Sequence, residues 1–218
     1  MRIKPVTAVF LGLELALYAA FLALDLTGQG GATIWLKYAG VLLCLAFSLW
    51  CALRGGDRLV PPALALTALA DLFLLVLDRW YPLGVVIFLF AQSAYLIRLR
   101  LASGRAWWPV RAGVPLLAAL ALYALGQATA LDLLAGLYFS QLAVNAVLAW
   151  TQPGRRWRLF ALGLSLFICC DLCVGAFNSP GLVPAGAYRF AQVGMWLFYL
   201  PSQVLIALSA LPEKEAVP

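Results

Sequence analysis

Eight stretches of apolar sequence, each roughly long enough to cross a bilayer, follow one another with only short polar loops between them. They run Pro5–Leu24, Thr33–Leu53, Val60–Leu77, Pro82–Ile97, Val110–Gly126, Leu131–Trp150, Leu159–Phe177 and Tyr188–Leu211. A membrane helix needs about 20 mostly apolar residues. Hydrocarbon offers the backbone no partner, so such a span has to satisfy its own N–H and C=O groups as a helix. The expected fold is therefore all-α: a polytopic membrane bundle of eight transmembrane helices, forming one domain over residues 1–218. With 65% hydrophobic and 11% charged residues, the chain could not assemble a water-facing surface. The first span follows Arg2 and Lys4, as a signal peptide would, but it exceeds the 7–15 residue apolar core of a signal and is expected to be retained.

The basic residues test the span count. With eight spans, one side of the membrane holds twelve: Arg2, Lys4, Arg54, Arg58, Arg98, Arg100, Arg105, Arg111, Arg155, Arg156, Arg158 and Lys214. The other side holds only Lys37, Arg79 and Arg189. This asymmetry places both termini in the cytoplasm by the positive-inside rule. Trp35 and Trp80 fall at outer span ends, and Trp50, Trp107, Trp108, Trp150 and Trp157 at inner ends, with Trp196 the exception. The basic clusters thus read as topology signals and contacts to anionic lipid, and no nucleic-acid partner is expected. Richness in Arg, Ala and Leu points to a bacterial plasma membrane.

A shift of 100 residues aligns Phe90-Ala91-Gln92 with Phe190-Ala191-Gln192. It also pairs Asp71-Leu72 with Asp171-Leu172, Tyr38 with Tyr138, Trp50 with Trp150 and Arg58 with Arg158. These matches among rare residues suggest two parallel four-helix repeats, residues 1–105 and 106–218, related by an axis along the membrane normal. Asp71 and Asp171 could then face each other across that axis.

The chain has no histidine, which excludes His-dependent triads, His-metal sites and the usual near-neutral proton shuttle. Proton chemistry falls to nine carboxylates. Asp25, Asp57, Asp78, Asp132, Glu213 and Glu215 lie at span ends, in loops or in the tail, whereas Glu14, Asp71 and Asp171 lie inside spans. An Asp at the centre of a membrane helix costs about 2.5–3.5 kcal/mol, so it needs a partner or a wet cavity. Asp71 and Asp171 each precede the outer end of an outward-running span by six residues, roughly 9 Å at 1.5 Å per residue. Gln92 and Gln141 lie at similar depth, Gln203, Tyr199 and Asn145 deeper, and Tyr95 deeper still than Gln92.

Two readings follow. Each acid could be tied to a Gln or Ser of a neighbouring helix and simply hold the bundle together. Alternatively the two form a polar site open towards the outer leaflet. Adjacent carboxyl groups do not ionise together easily, so a pair supplies an acid and a base without histidine. Glu14 either partners a polar group on another helix or joins the site, and Gly12, Ala16 and Ala20 give its helix a small-residue face suited to close contact. Cys44, Cys51, Cys169, Cys170 and Cys173 all lie within spans. Cys170 and Cys173 bracket Asp171 but lack further ligands, so they read as small hydrophobes. No phosphate loop, dinucleotide fingerprint or serine elbow is present. No metal or cofactor is expected.

Ala70-Asp71-Leu72-Phe73-Leu74 followed by Phe90-Ala91-Gln92-Ser93-Ala94-Tyr95 resembles the third-to-fourth-helix region of the YhhN family. Phe167-Ile168-Cys169-Cys170-Asp171-Leu172, Tyr199-Leu200-Pro201-Ser202-Gln203 and Ala207-Leu208-Ser209-Ala210 extend the likeness. Members of that family include lysoplasmalogenases. The resemblance implies hydrolysis of the vinyl-ether bond of lysoplasmalogen to a fatty aldehyde and a glycerophospho-alcohol. Asp71 and Asp171 would be catalytic, and Gln92, Tyr95, Tyr199, Gln203 and Asn178 would line the site. Arg189 and Arg79, near the outer ends, would hold the phosphate or serve as anchors at the interface. The partners implied are a lysophospholipid and the bilayer, with the oligomeric state open. The chain departs from the family pattern at Ala70 for Gly, Gln92 for His, Cys170 for Ser and Asn178 for Lys. Two alternatives compete: a non-catalytic lipid-binding relative, and a small proton-coupled carrier using the same acids.

Overall fold

A computed structural model describes residues 3–27, 30–124, 126, 129–178 and 183–212. Among the described residues there are eight α-helices and no strand. They are α1 (Ile3–Leu26), α2 (Ile34–Leu53), α3 (Val60–Asp71), α4 (Tyr81–Ser103), α5 (Trp108–Ala124), α6 (Ala130–Trp150), α7 (Arg155–Phe177) and α8 (Ala185–Leu208). α3 continues through a π-helical turn, Leu72–Val76, and a short 3₁₀ turn, Gly30–Thr33, leads into α2. Six helices are long and apolar enough to cross a membrane; the continuous run Val60–Val76 and α5 are shorter apolar helices. The eight expected spans thus all appear as helices of a membrane bundle. The largest extension is at α4, which continues beyond Ile97 to Ser103 because Arg98 is buried against other helices.

Each helix packs on the next within the series α1 to α4 and again within α5 to α8. Contacts of α4 with α6 and of α2 with α8 join the two groups. α7 and α8 come together at Gly163, where an added Cβ would stand 3.0 Å from the Ser202 carbonyl oxygen and 2.8 Å from Ile206 Cγ1. The close neighbour is partly backbone and cannot rotate away. Gly163→Ala is expected to cost about 1–3 kcal/mol, read as a lower melting midpoint in detergent. Gly113→Ala, where a Cβ meets nothing within 4 Å, is the control that leaves the midpoint unchanged or slightly raised.

Two prolines lie inside helices, Pro115 in α5 and Pro201 in α8. Proline has no N–H, so each frees the carbonyl four residues earlier. The freed Leu197 carbonyl accepts from Tyr18 Oη of α1 at 2.9 Å. The freed Arg111 carbonyl accepts from Gln141 Nε2 of α6 at 3.0 Å. Both substitutes come from another helix, as hydrocarbon surroundings demand.

The small-residue face expected on α1 is not its packing face. Gly12, Ala16 and Ala20 are exposed, and a Cβ on Gly12 would meet nothing within 4 Å. The buried side carries Phe10, Glu14 and Phe21, with Phe10 stacked on Phe47 of α2 at 4.0 Å between ring centroids. At about 100° per residue, position 12 lies on the far side of the helix from position 10. α1 is seated by aromatic bulk, and its small residues face outward.

Candidate functional site

Asp71 is the last residue of α3, immediately before the π-helical turn. That turn widens the backbone, with the Leu77 N–H bonding the Leu72 carbonyl at 2.8 Å. Such single π turns are frequent at functional sites. The Asp71 carboxylate is buried, 5% exposed, and its Oδ2 accepts from Tyr199 Oη of α8 at 2.5 Å. On the other side, Asp171 of α7 accepts at Oδ2 from Tyr138 Oη of α6 at 2.8 Å. Asp171 is the more open of the two, half-buried rather than buried.

The two Asp–Tyr pairs are joined through Phe167, one turn before Asp171. Its ring meets Tyr199 edge-on at 5.3 Å and Tyr138 at 6.5 Å. Phe88 of α4 packs against both Phe167 and Tyr138 at 5.6 Å. Asp71 and Asp171 are close enough for their charges to interact, and Tyr38 of α2 lies within the electrostatic range of Asp71. Beyond Tyr199, Trp196 stands perpendicular to it at 5.2 Å. The Lys37 ammonium sits 5.0 Å from the Trp196 ring centroid and pairs with Asp25 at 2.8 Å. An indole and then an ion pair thus follow Tyr199 in one chain of contacts.

Of the residues expected to line the site, Tyr199 is in direct contact with a catalytic candidate. Gln203 is one turn further along α8, buried, donating to Ser202 Oγ at 3.0 Å while its own Oε1 has no partner. Gln92 is buried and engaged elsewhere: Asn145 Nδ2 donates to its side-chain oxygen at 2.9 Å and to its backbone carbonyl at 3.0 Å. Asn145 is itself bonded by Arg111 Nη2 at 2.6 Å, and Arg111 Nη1 reaches Gln141 at 3.0 Å. Tyr95 is fully buried against Phe160, 5.2 Å between centroids, in the region of Arg98. Asn178 caps its own helix, donating to the Val174 carbonyl at 2.9 Å. Arg189 is exposed in the first turns of α8. The expected partners of the acids, Gln or Ser, are thus replaced by two tyrosines.

Glu14 lies away from the pair, with Oε1 accepting from Cys44 Sγ at 3.2 Å and Oε2 unpartnered beside Gly40. The residue missing from the expected site is Tyr138. A signal for it existed in the 100-residue offset, which pairs it with Tyr38, and both tyrosines lie near the acid of their own half.

Chemically, the arrangement offers two carboxyl groups in one interior site, one deeply buried and one more open. Each is oriented by a phenol that donates to it. Two residues of the same type in different surroundings can divide the roles of acid and base.

A model of the YhhN family matches residues 32–210 of the chain, a stretch that contains Asp71, Tyr138, Asp171 and Tyr199 and leaves out Glu14 and Tyr18. No curated protein and no solved structure matches the chain.

Proposed function

Because the chain belongs to the YhhN family, we propose that it is a membrane-embedded hydrolase that cleaves the vinyl-ether bond of lysoplasmalogen through Asp71 and Asp171. The observation that carries this is the pair of interior carboxyl groups, each held by its own tyrosine and near enough to feel the other's charge. The difficult step in vinyl-ether hydrolysis is protonation of the alkene carbon. One carboxyl enters protonated and delivers that proton, leaving an oxocarbenium ion. The other, ionised, stabilises the cation and takes a proton from the water that attacks it. The resulting hemiacetal then breaks to the aldehyde and the glycerophospho-alcohol.

The depth of the site supports a lipid substrate. Asp171 is six residues from the end of α7 at Phe177, roughly 9 Å along a helix, about where the vinyl ether of a lysolipid lies beneath its headgroup. In this reading the substrate enters from the outer leaflet and both termini are cytoplasmic. Gln92, where the family commonly has histidine, is held by Asn145 and not by either acid. The proposed chemistry asks nothing of it.

The direct test is aldehyde release from lysoplasmalogen by the purified protein. Binding without release would make the chain a lipid-binding relative instead, and substrate-dependent proton movement in proteoliposomes would make it a carrier. Tyr199→Phe removes the hydroxyl bonded to Asp71 while preserving the ring that packs on Phe167 and Trp196. Loss of one hydrogen bond to a charged group is worth about 1.5–3 kcal/mol, so kcat is expected to fall about tenfold or more with KM little changed. A steady-state comparison with wild type checks this.

A further inference from the structure

The opposite end of the bundle holds a second polar assembly. The α2–α3 turn, the last turns of α4 and the first turn of α7 border an open cavity of about 310 Å³ lined by Asp57, Leu59, Arg98, Leu101, Ala102, Arg156 and Trp157. Asp57 sits at its centre. It accepts from Arg98 Nε at 2.8 Å, from Arg156 Nη2 at 2.5 Å and from the Leu59 N–H at 2.9 Å. Burial alone would raise this carboxyl, but the guanidinium of Arg98, with the Leu59 N–H and Arg156, outweighs it and holds the group below the usual carboxylate range. Asp57 is therefore ionised at neutral pH and balances one of its two guanidiniums.

The two arginines are not equivalent. Arg98 is buried and committed: its other nitrogens bond Ser209 Oγ and the Ser209 carbonyl, both at 2.9 Å. Its guanidinium also rests 4.3 Å from the Phe160 centroid and 4.8 Å from that of Trp157. Arg156 is the more open, 24% exposed. It gives one N–H to Asp57, and its Nε is buried without a partner. Arg158, two residues further along α7, is exposed and does not line the cavity. The cavity thus holds a surplus positive charge on a partly open side chain already oriented by a carboxylate.

We propose that this cavity binds the phosphate group of a phosphate ester, with Arg156 as its principal donor. A guanidinium presents several N–H groups in a planar fork that matches phosphate oxygens. Leu59 and Leu101, the latter 74% exposed, supply an apolar border for the ester portion. An anionic lipid headgroup and a soluble phosphate ester share this chemistry. The site is distinct from the carboxylate pair: α3 alone places twelve residues, Val60–Asp71, between them, roughly 17 Å along a helix. It does not depend on the proposed hydrolase activity.

The test uses the full chain purified in a non-ionic detergent, with phosphatidylglycerol or inorganic phosphate titrated against the melting midpoint. A saturable rise that is about tenfold weaker in apparent affinity in Arg156→Gln, and unchanged in Arg158→Gln, is the expected result. Phosphatidylglycerol acting alone assigns a lipid headgroup; inorganic phosphate acting as well assigns a soluble phosphate ester. No rise with either probe would overturn the proposal, as would a rise that survives Arg156→Gln or is lost equally in Arg158→Gln. Arg156→Gln leaves the Asp57–Arg98 pair in place. Should it nevertheless fail to fold, Arg156→Lys keeps the charge without the fork and is expected to show the same weakening in smaller degree, full affinity counting against the site.

Discussion

Replacing Asp71 or Asp171 by Asn is expected to abolish aldehyde release from lysoplasmalogen, each alone lowering kcat by about 10²–10⁴-fold. The amide keeps the size of the carboxyl and can still accept from Tyr199 or Tyr138. It can neither deliver nor take up a proton. Each single variant therefore removes half of a dyad whose other half cannot act alone, and the double variant is expected to be little worse than either single one. Neutralising an intramembrane acid does not burden the fold, since a neutral group is less costly in hydrocarbon than a charged one. Folded yield and melting midpoint should stay at or above those of wild type. Full activity in both single variants would rule out the mechanism.

Asp57→Ala is expected to destabilise the protein by about 3–5 kcal/mol, because it leaves the buried guanidinium of Arg98 without its counter-charge. For a chain of this size that is a fall of about 10 °C in melting midpoint, measured by scanning fluorimetry in detergent. Removing Arg98 as well, in Asp57→Ala with Arg98→Met, should recover much of the loss, since an apolar pair carries no uncompensated charge. The pH dependence has a definite sign. The Asp57 carboxyl lies below its ordinary range in the folded protein, so its contribution is fully present above the unfolded value of about 3.9. It is lost as pH falls through the lower folded value. Wild type should shed this increment on acidification, and Asp57→Ala should have none to shed.

Much of the architecture was legible because the bilayer imposes it. Span length follows from hydrocarbon thickness, and the helices begin and end within a few residues of the apolar stretches. Asp71 and Asp171 were legible for the same reason: an acid in hydrocarbon needs a cause. Their partners were not. Distance along a helix gives depth but not which neighbour a side chain meets. Gln92 and Tyr95 share a face of α4, yet one meets Asn145 of α6 and the other Phe160 of α7. Counting basic residues was a similar partial guide. The count treats Arg98 and Arg111 as surface topology signals, whereas both are buried, 2% and 5% exposed, and bonded to other helices. A charge tally sums over a loop and carries no geometry, so it could not separate them from exposed Arg58 or Arg158.

The bond from Tyr18 to the carbonyl freed by Pro201 joins residues 179 positions apart, the first helix to the last. A membrane helix enters before it associates, and a carbonyl without a donor in hydrocarbon costs several kcal/mol. α8 therefore carries a vacant acceptor that α1, which precedes it in the chain, fills when the two meet. The proline turns a helix's private bond into a latch between two helices far apart in the sequence, and the latch cannot close until both are in the membrane.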